Sequence, residues 1–210
     1  MKKGLIIAGS ILLIIIGLLT YKNWQKKAML KTFKQPSLQT MESLKSLKNQ
    51  NNLPGIMLIP KNQEGFDFLR NYLSEGTIFV LDEHNKVIEC NFENIGGLCY
   101  ADVVKGINKG YNFNTKKQFP LFDSLNFYET LLASTVTVHD NDMQTLEKPY
   151  KYKILYGWVS YIPISFSPKQ MGFSPEAIEN QDVLFVGVSS DYVNNWFGDD
   201  STLIPSYKFE

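Results

Sequence analysis

The longest apolar stretch of the chain comes first. Residues 4–21 run from Gly4 through Leu-Ile-Ile and Ile-Leu-Leu-Ile-Ile-Ile to Thr20 and Tyr21 without a single charge. At about 1.5 Å of rise per residue, some 18 residues span about 27 Å, close to the thickness of a bilayer core. The pattern predicts a transmembrane helix. Lys2 and Lys3 precede it, in the order of a secretory signal. The sequence from Leu18 to Trp24 has neither a small-x-small cleavage pattern nor a cysteine. The segment is therefore expected to stay as a signal anchor, with Tyr21 and Trp24 at head-group depth. Its first implied partner is the lipid bilayer.

Beyond the anchor the periodicities are those of a globular chain. Leu38, Met41, Leu44 and Leu47 recur every three residues and predict a short amphipathic helix, with Ser37 as its cap. A polar stretch with turn chemistry, ending at Pro54-Gly55, closes this stalk. Residues 56–59 then predict a buried strand. Residues 63–74 predict a helix with Phe66, Leu69, Tyr72 and Leu73 on one face. Thr77–Asp82, a turn Glu83-His84-Asn85-Lys86, and Val87–Cys90 predict a β-hairpin. Helices are expected near residues 99–108, 124–133, 174 onward and 191–197. Strands are expected at 135–139, within 151–161, and at 182–189, whose Asp-Val-Leu-Phe-Val-Gly-Val-Ser run is of the fully buried kind. Helices and strands are partly segregated, which favours an α+β class. The implied organisation is a tail (1–3), an anchor (4–21), a stalk with a short helix and linker (22–55), one mixed α+β domain (56–198) and a C-terminal tail (199–210).

Charge sharpens this division. The net charge of zero hides nine lysines against Glu42 alone in the first 50 residues, while the remaining 12 basic and 20 acidic groups leave the domain at −8. An acidic domain argues against nucleic-acid binding. A basic arm beside an apolar run suits anionic lipid head groups, and equally suits a solvated stalk. With apolar residues at 44% and aromatics at 13%, the chain has the means to build a core.

The two cysteines, Cys90 and Cys99, fall in one short segment that contains Gly96-Gly97. A disulfide between them is easily closed, and it suits an extracytoplasmic compartment. The alternative is a pair of buried thiols. Lysines flank both sides of the anchor, so the bond, if formed, is what places the domain outside the bacterial cytoplasmic membrane.

Few residues gather into recognisable chemistry. His139, Asp140, Asp142 and Glu147 form an oxygen-rich stretch, but it lacks the ligands and the glycine of a calcium loop, so it reads as a turn. There is no Gly-x-Ser-x-Gly elbow, no phosphate-binding glycine loop and no dinucleotide fingerprint. No metal or cofactor is expected. Tyr150, Tyr152, Tyr156 and Trp158 share one face of an unbroken strand; exposed they would form a partner surface, and buried they are core.

Two local resemblances bear on function. Gly76–Ile88 resembles the late hairpin of thioredoxin-like domains, although Gly76 stands where those have proline and their earlier cysteine pair is absent. Lys2-Lys3-Gly4 ahead of an apolar helix is similar to a type IV prepilin leader, with Gly9 where a glutamate is expected. The leading expectation is a membrane-anchored binding or assembly component of the cell envelope. The alternatives are a thioredoxin-like or hydrolytic enzyme of the envelope, and a pilin-like subunit.

Overall fold

The computed structural model describes residues 20–24, 27, 28, 31, 33–73, 77–88, 103, 109, 113, 126–139, 142–161 and 182–206. At its centre lies a six-stranded mixed sheet: β1 (Ile56–Pro60), β2 (Ile78–Leu81), β3 (Val87–Ile88), β4 (Thr135–Thr137), β5 (Tyr152–Trp158) and β6 (Val183–Ser189). The strand order is β3-β2-β5-β6-β1-β4. β5, β6 and β1 run parallel, and β2 and β4 flank them antiparallel. Every residue of β6, and all of β5 except half-buried Gly157, is buried. That fits strands covered on both faces. The mixed α+β content follows the sequence pattern; the parallel pairing of distant β1 with β6 does not show in it.

The side chains alternate between two cores. One holds Met57 and Ile59 of β1, Val80 of β2, Tyr152, Ile154, Tyr156 and Trp158 of β5, and Phe185 of β6. It is covered by α1 (Met41–Gln50), whose Leu44 is fully buried with Met41 and Leu47 beside it. The other holds Leu58, Leu81, Leu155 and Val186. Over it lie α2 (Gln63–Tyr72), α3 (Phe127–Ser134) and the short α4 (Asp142–Leu146). Gly65 of α2 sits so close to α3 that an added Cβ would lie 2.2 Å from the Ser134 carbonyl oxygen.

The helix over the first core starts later than expected. Thr40, not Ser37, caps α1, its side chain accepting from Ser43 N while Ser43 Oγ accepts from Thr40 N. The cause is upstream. Gln39 is held extended in an isolated parallel bridge to Val193, donating from N to Tyr192 O at 2.7 Å and accepting from Asn194 N at 3.0 Å. Ser37 therefore lies in a strap, with its hydroxyl 2.8 Å from the Gln39 amide nitrogen. Lys34 N also donates to Tyr161 O. Residues 33–40 thus lie across the chain just past β5 and β6, and the fold includes much of the stretch that reads as stalk. Gly55, at φ +69°, ends that stretch; a Cβ there would lie 1.9 Å from Phe185 O, so only glycine fits.

Three further boundaries differ. α3 begins at Phe127, after Asn126 in a left-handed conformation, and residues 124 and 125 lie outside the described residues. The stretch read as a turn at 139–147 contains α4, because Leu146 is drawn into the second core. The last helix is confined to Asn194–Phe197 (α5). The helices expected near 99–108 and 174 lie outside the described residues apart from buried Val103. Among the described residues no helix is long and apolar enough to cross a membrane, and residues 4–19 of the predicted anchor lie outside them.

Candidate functional site

The aromatic residues of β5 are core. Tyr152, Tyr156 and Trp158 are buried in the first cluster, and Tyr156 Oη donates to Pro54 O at 2.8 Å. Burial pushes the Tyr156 phenol far above its ordinary pKa. Tyr150 does not join them. It precedes the first residue of β5 and packs, half-buried, against the opposite cluster. An aromatic partner surface on this strand face is therefore not presented to solvent. Cys90 and Cys99 lie outside the described residues.

Polar side chains gather instead at the two ends of the parallel strands. Beyond their carboxyl ends, the usual place for ligands in open α/β sheets, sits Asp191 with no exposed surface. The apolar run of β6 ends in Ser189-Ser190-Asp191, which brings this carboxylate beside Ser160 at the end of β5. Ser160 N donates to both Asp191 oxygens at 3.0 Å, Ser160 Oγ to Oδ1 at 2.7 Å, and Ser189 Oγ to Oδ2 at 2.6 Å. Desolvation raises the Asp191 pKa, and the Ser189 and Ser160 hydrogen bonds partly oppose it. Asp191 thereby clasps the end of β5 to the end of β6. Beside it Tyr192, Trp196 and Phe197 form a ring cluster with Phe66 of α2, with centroids 4.7–6.2 Å apart.

At the amino end of β5, about 20 Å away along a strand of about 3.3 Å per residue, the chemistry is cationic. The β2–β3 turn is built by Asp82, whose Oδ1 accepts from His84 N and Lys86 N at 2.9 Å each. Asn85 follows in the left-handed region at φ 61°, a conformation that Asn tolerates. The turn and the start of α3 enclose a cleft of about 230 Å³ lined by His84, Asn85, Lys86, Tyr128 and Glu129, among others. Behind the wall lies Lys153, only 4% exposed although it is a lysine in a central strand. Its Nζ donates to Asn85 Oδ1 at 2.5 Å and sits 4.4 Å from the centroid of the Tyr128 ring. Burial lowers the Lys153 pKa. Burial, with the nearby Glu147 charge, pushes the Tyr128 phenol up to about 12, and its hydroxyl donates to Leu146 O.

Among the described residues no group of three or more His, Cys, Asp or Glu side chains could hold a metal ion. Neither Asp191 nor Lys153 stands out in the sequence. The available signals were a lone charge inside the apolar run Tyr152–Trp158, and an acid two residues beyond the end of the buried strand Val183–Ser189. Comparison with protein-family models, curated proteins and solved structures finds no match to this chain.

Proposed function

We propose that the chain is a membrane-tethered binding or assembly component, with residues 4–21 as its anchor and the mixed-sheet domain as its working part outside the bacterial cytoplasmic membrane. The observation that carries this reading is the junction. The uncharged run is followed within about a dozen residues by a strap whose backbone is hydrogen-bonded into the fold at Tyr161, Tyr192 and Asn194. A strap that joins the fold so soon after the uncharged run would keep the domain within short reach of the bilayer, which suits a component that meets partners in the same envelope. Asp191 supports the same reading: both carboxylate oxygens are engaged by donors of the protein itself, as in a structural clasp.

The test is extraction followed by cross-linking. The full chain should sediment with membranes and leave them only in detergent, whereas a variant lacking residues 4–21 should be freely soluble. An amine-reactive cross-linker applied to intact cells should give a discrete adduct with the anchored chain and none with the deletion variant. Turnover of a substrate by the purified protein would sink this reading.

A second reading has one observation in its favour. The hairpin that resembles the thioredoxin-like pattern lies antiparallel beside β5, and β5 pairs parallel with β6, a mixed pairing of the kind that resemblance implies. That reading predicts that Cys90→Ser abolishes a thiol-disulfide exchange activity without unfolding the domain.

A further inference from the structure

A buried ammonium is costly unless a counter-charge or a full set of acceptors compensates it. Lys153 has one amide oxygen and one ring face, and no carboxylate among the described residues forms an ion pair with it. An apolar side chain would fill that strand position more favourably, so the cation calls for a reason beyond the fold.

The geometry supplies one. Asn85 Oδ1 accepts from Lys153, which leaves the Nδ2 donors of the same amide for other acceptors, and Asn85 lines the cleft. An amide whose oxygen is bound by an ammonium is polarised, and its N–H groups become stronger donors. Lys86 brings a second, exposed cation to the same wall, and His84 adds an imidazole. The amino end of α3, the positive end of its dipole, forms the facing wall. Negative charges oppose: Glu129 lines the cleft, Glu147 acts on the Tyr128 phenol of its wall, the Asp82 carboxylate accepts from His84 N and Lys86 N within the turn, and Glu83 lies 3.7 Å from the His84 imidazole.

We propose that this cleft binds a small oxyanion group, a carboxylate or a phosphate, on the donors of Asn85 and Lys86, with Lys153 as the positioning residue behind them. Its volume suits the charged end of a ligand. The inference is independent of the tether, since it rests only on the hairpin turn, β5 and α3.

The full chain in detergent micelles is titrated at constant ionic strength with inorganic phosphate and, separately, with acetate, and the amide NMR shifts of residues 84–87 are followed. Saturable shifts with phosphate alone assign a phosphate group; saturation with acetate assigns a carboxylate. Asn85→Asp keeps the acceptor for Lys153 and tolerates the left-handed backbone, yet turns an acceptor toward the cleft; it should weaken binding by at least about tenfold. Glu129→Gln should tighten it about threefold by removing a like charge. Lys153→Met should weaken binding while leaving the fold more stable, two changes that a merely structural lysine would not produce together. Linear, non-saturating shifts with both anions would overturn the proposal, and so would full affinity in Asn85→Asp.

Discussion

The two ends of the parallel strands each bury an ionisable side chain, and they surround it in opposite ways. At the carboxyl end Asp191 receives donors on both oxygens from Ser160 and Ser189, and the strap 33–40 closes over the neighbouring chain. At the amino end Lys153 meets one acceptor and one ring face, beside an open cleft. A saturated buried charge is part of the fold's framework, whereas a cation with few partners behind a cleft wall can polarise the groups that line the cleft. The end of the sheet where ligands are generally sought is here the closed one, and the open chemistry lies at the other.

The largest expected effect breaks the closed end. Asp191→Ala strands the Ser160 and Ser189 donors in a buried site and should cost about 3 kcal/mol of stability, read by urea denaturation of the full chain in detergent. Asp191→Asn sharpens the same point through pH. The folded-state pKa of Asp191 is raised, so the folded chain binds this proton more tightly than the unfolded chain does. Wild-type stability should then fall as pH rises from the ordinary aspartate range through the folded value, and the Asn variant should lose that slope.

Next in size, and opposite in sign, is Lys153→Met at the open end. Removing a poorly compensated buried ammonium should raise stability at neutral pH by about 1 kcal/mol. The folded-state pKa of Lys153 is lowered. The wild type therefore gains stability as pH rises from that lowered value toward the ordinary lysine range, and the advantage of the Met variant should shrink over the same window. Thr40→Ala removes the capping box that starts α1 behind the strap, and should cost about 1 kcal/mol. His84→Ala, at the exposed tip of the turn, should change stability by less than about 0.5 kcal/mol, because its contact with Glu83 is a solvent-exposed pair.

Much of the secondary structure was legible because it is local. The hairpin around Glu83–Lys86 and the buried run of β6 follow from turn residues and apolar continuity. The common face of Tyr152, Tyr156 and Trp158 follows from strand alternation, but whether that face meets water depends on α1 covering it. Tyr150 falls on the other side because β5 begins only at Tyr152. What stayed hidden is long-range. Ser37 has the chemistry of a cap, and it was displaced by a bridge to Val193, more than 150 residues away. Asp191 follows β6 in a Ser-Ser-Asp stretch indistinguishable from a loop until Ser160 is brought beside it. Lys153 and Asn85 meet only because β2 pairs with β5.

The tethered placement of the domain is tested most directly by thiol labelling in intact cells. A membrane-impermeant maleimide is applied with and without prior reduction, and Cys90 and Cys99 are read by mass spectrometry. Both residues should be labelled from outside, and only after reduction, as for an external domain with a Cys90–Cys99 bond. Labelling that appears only once detergent opens the membrane would put the domain in the cytoplasm and contradict the proposed role in the envelope.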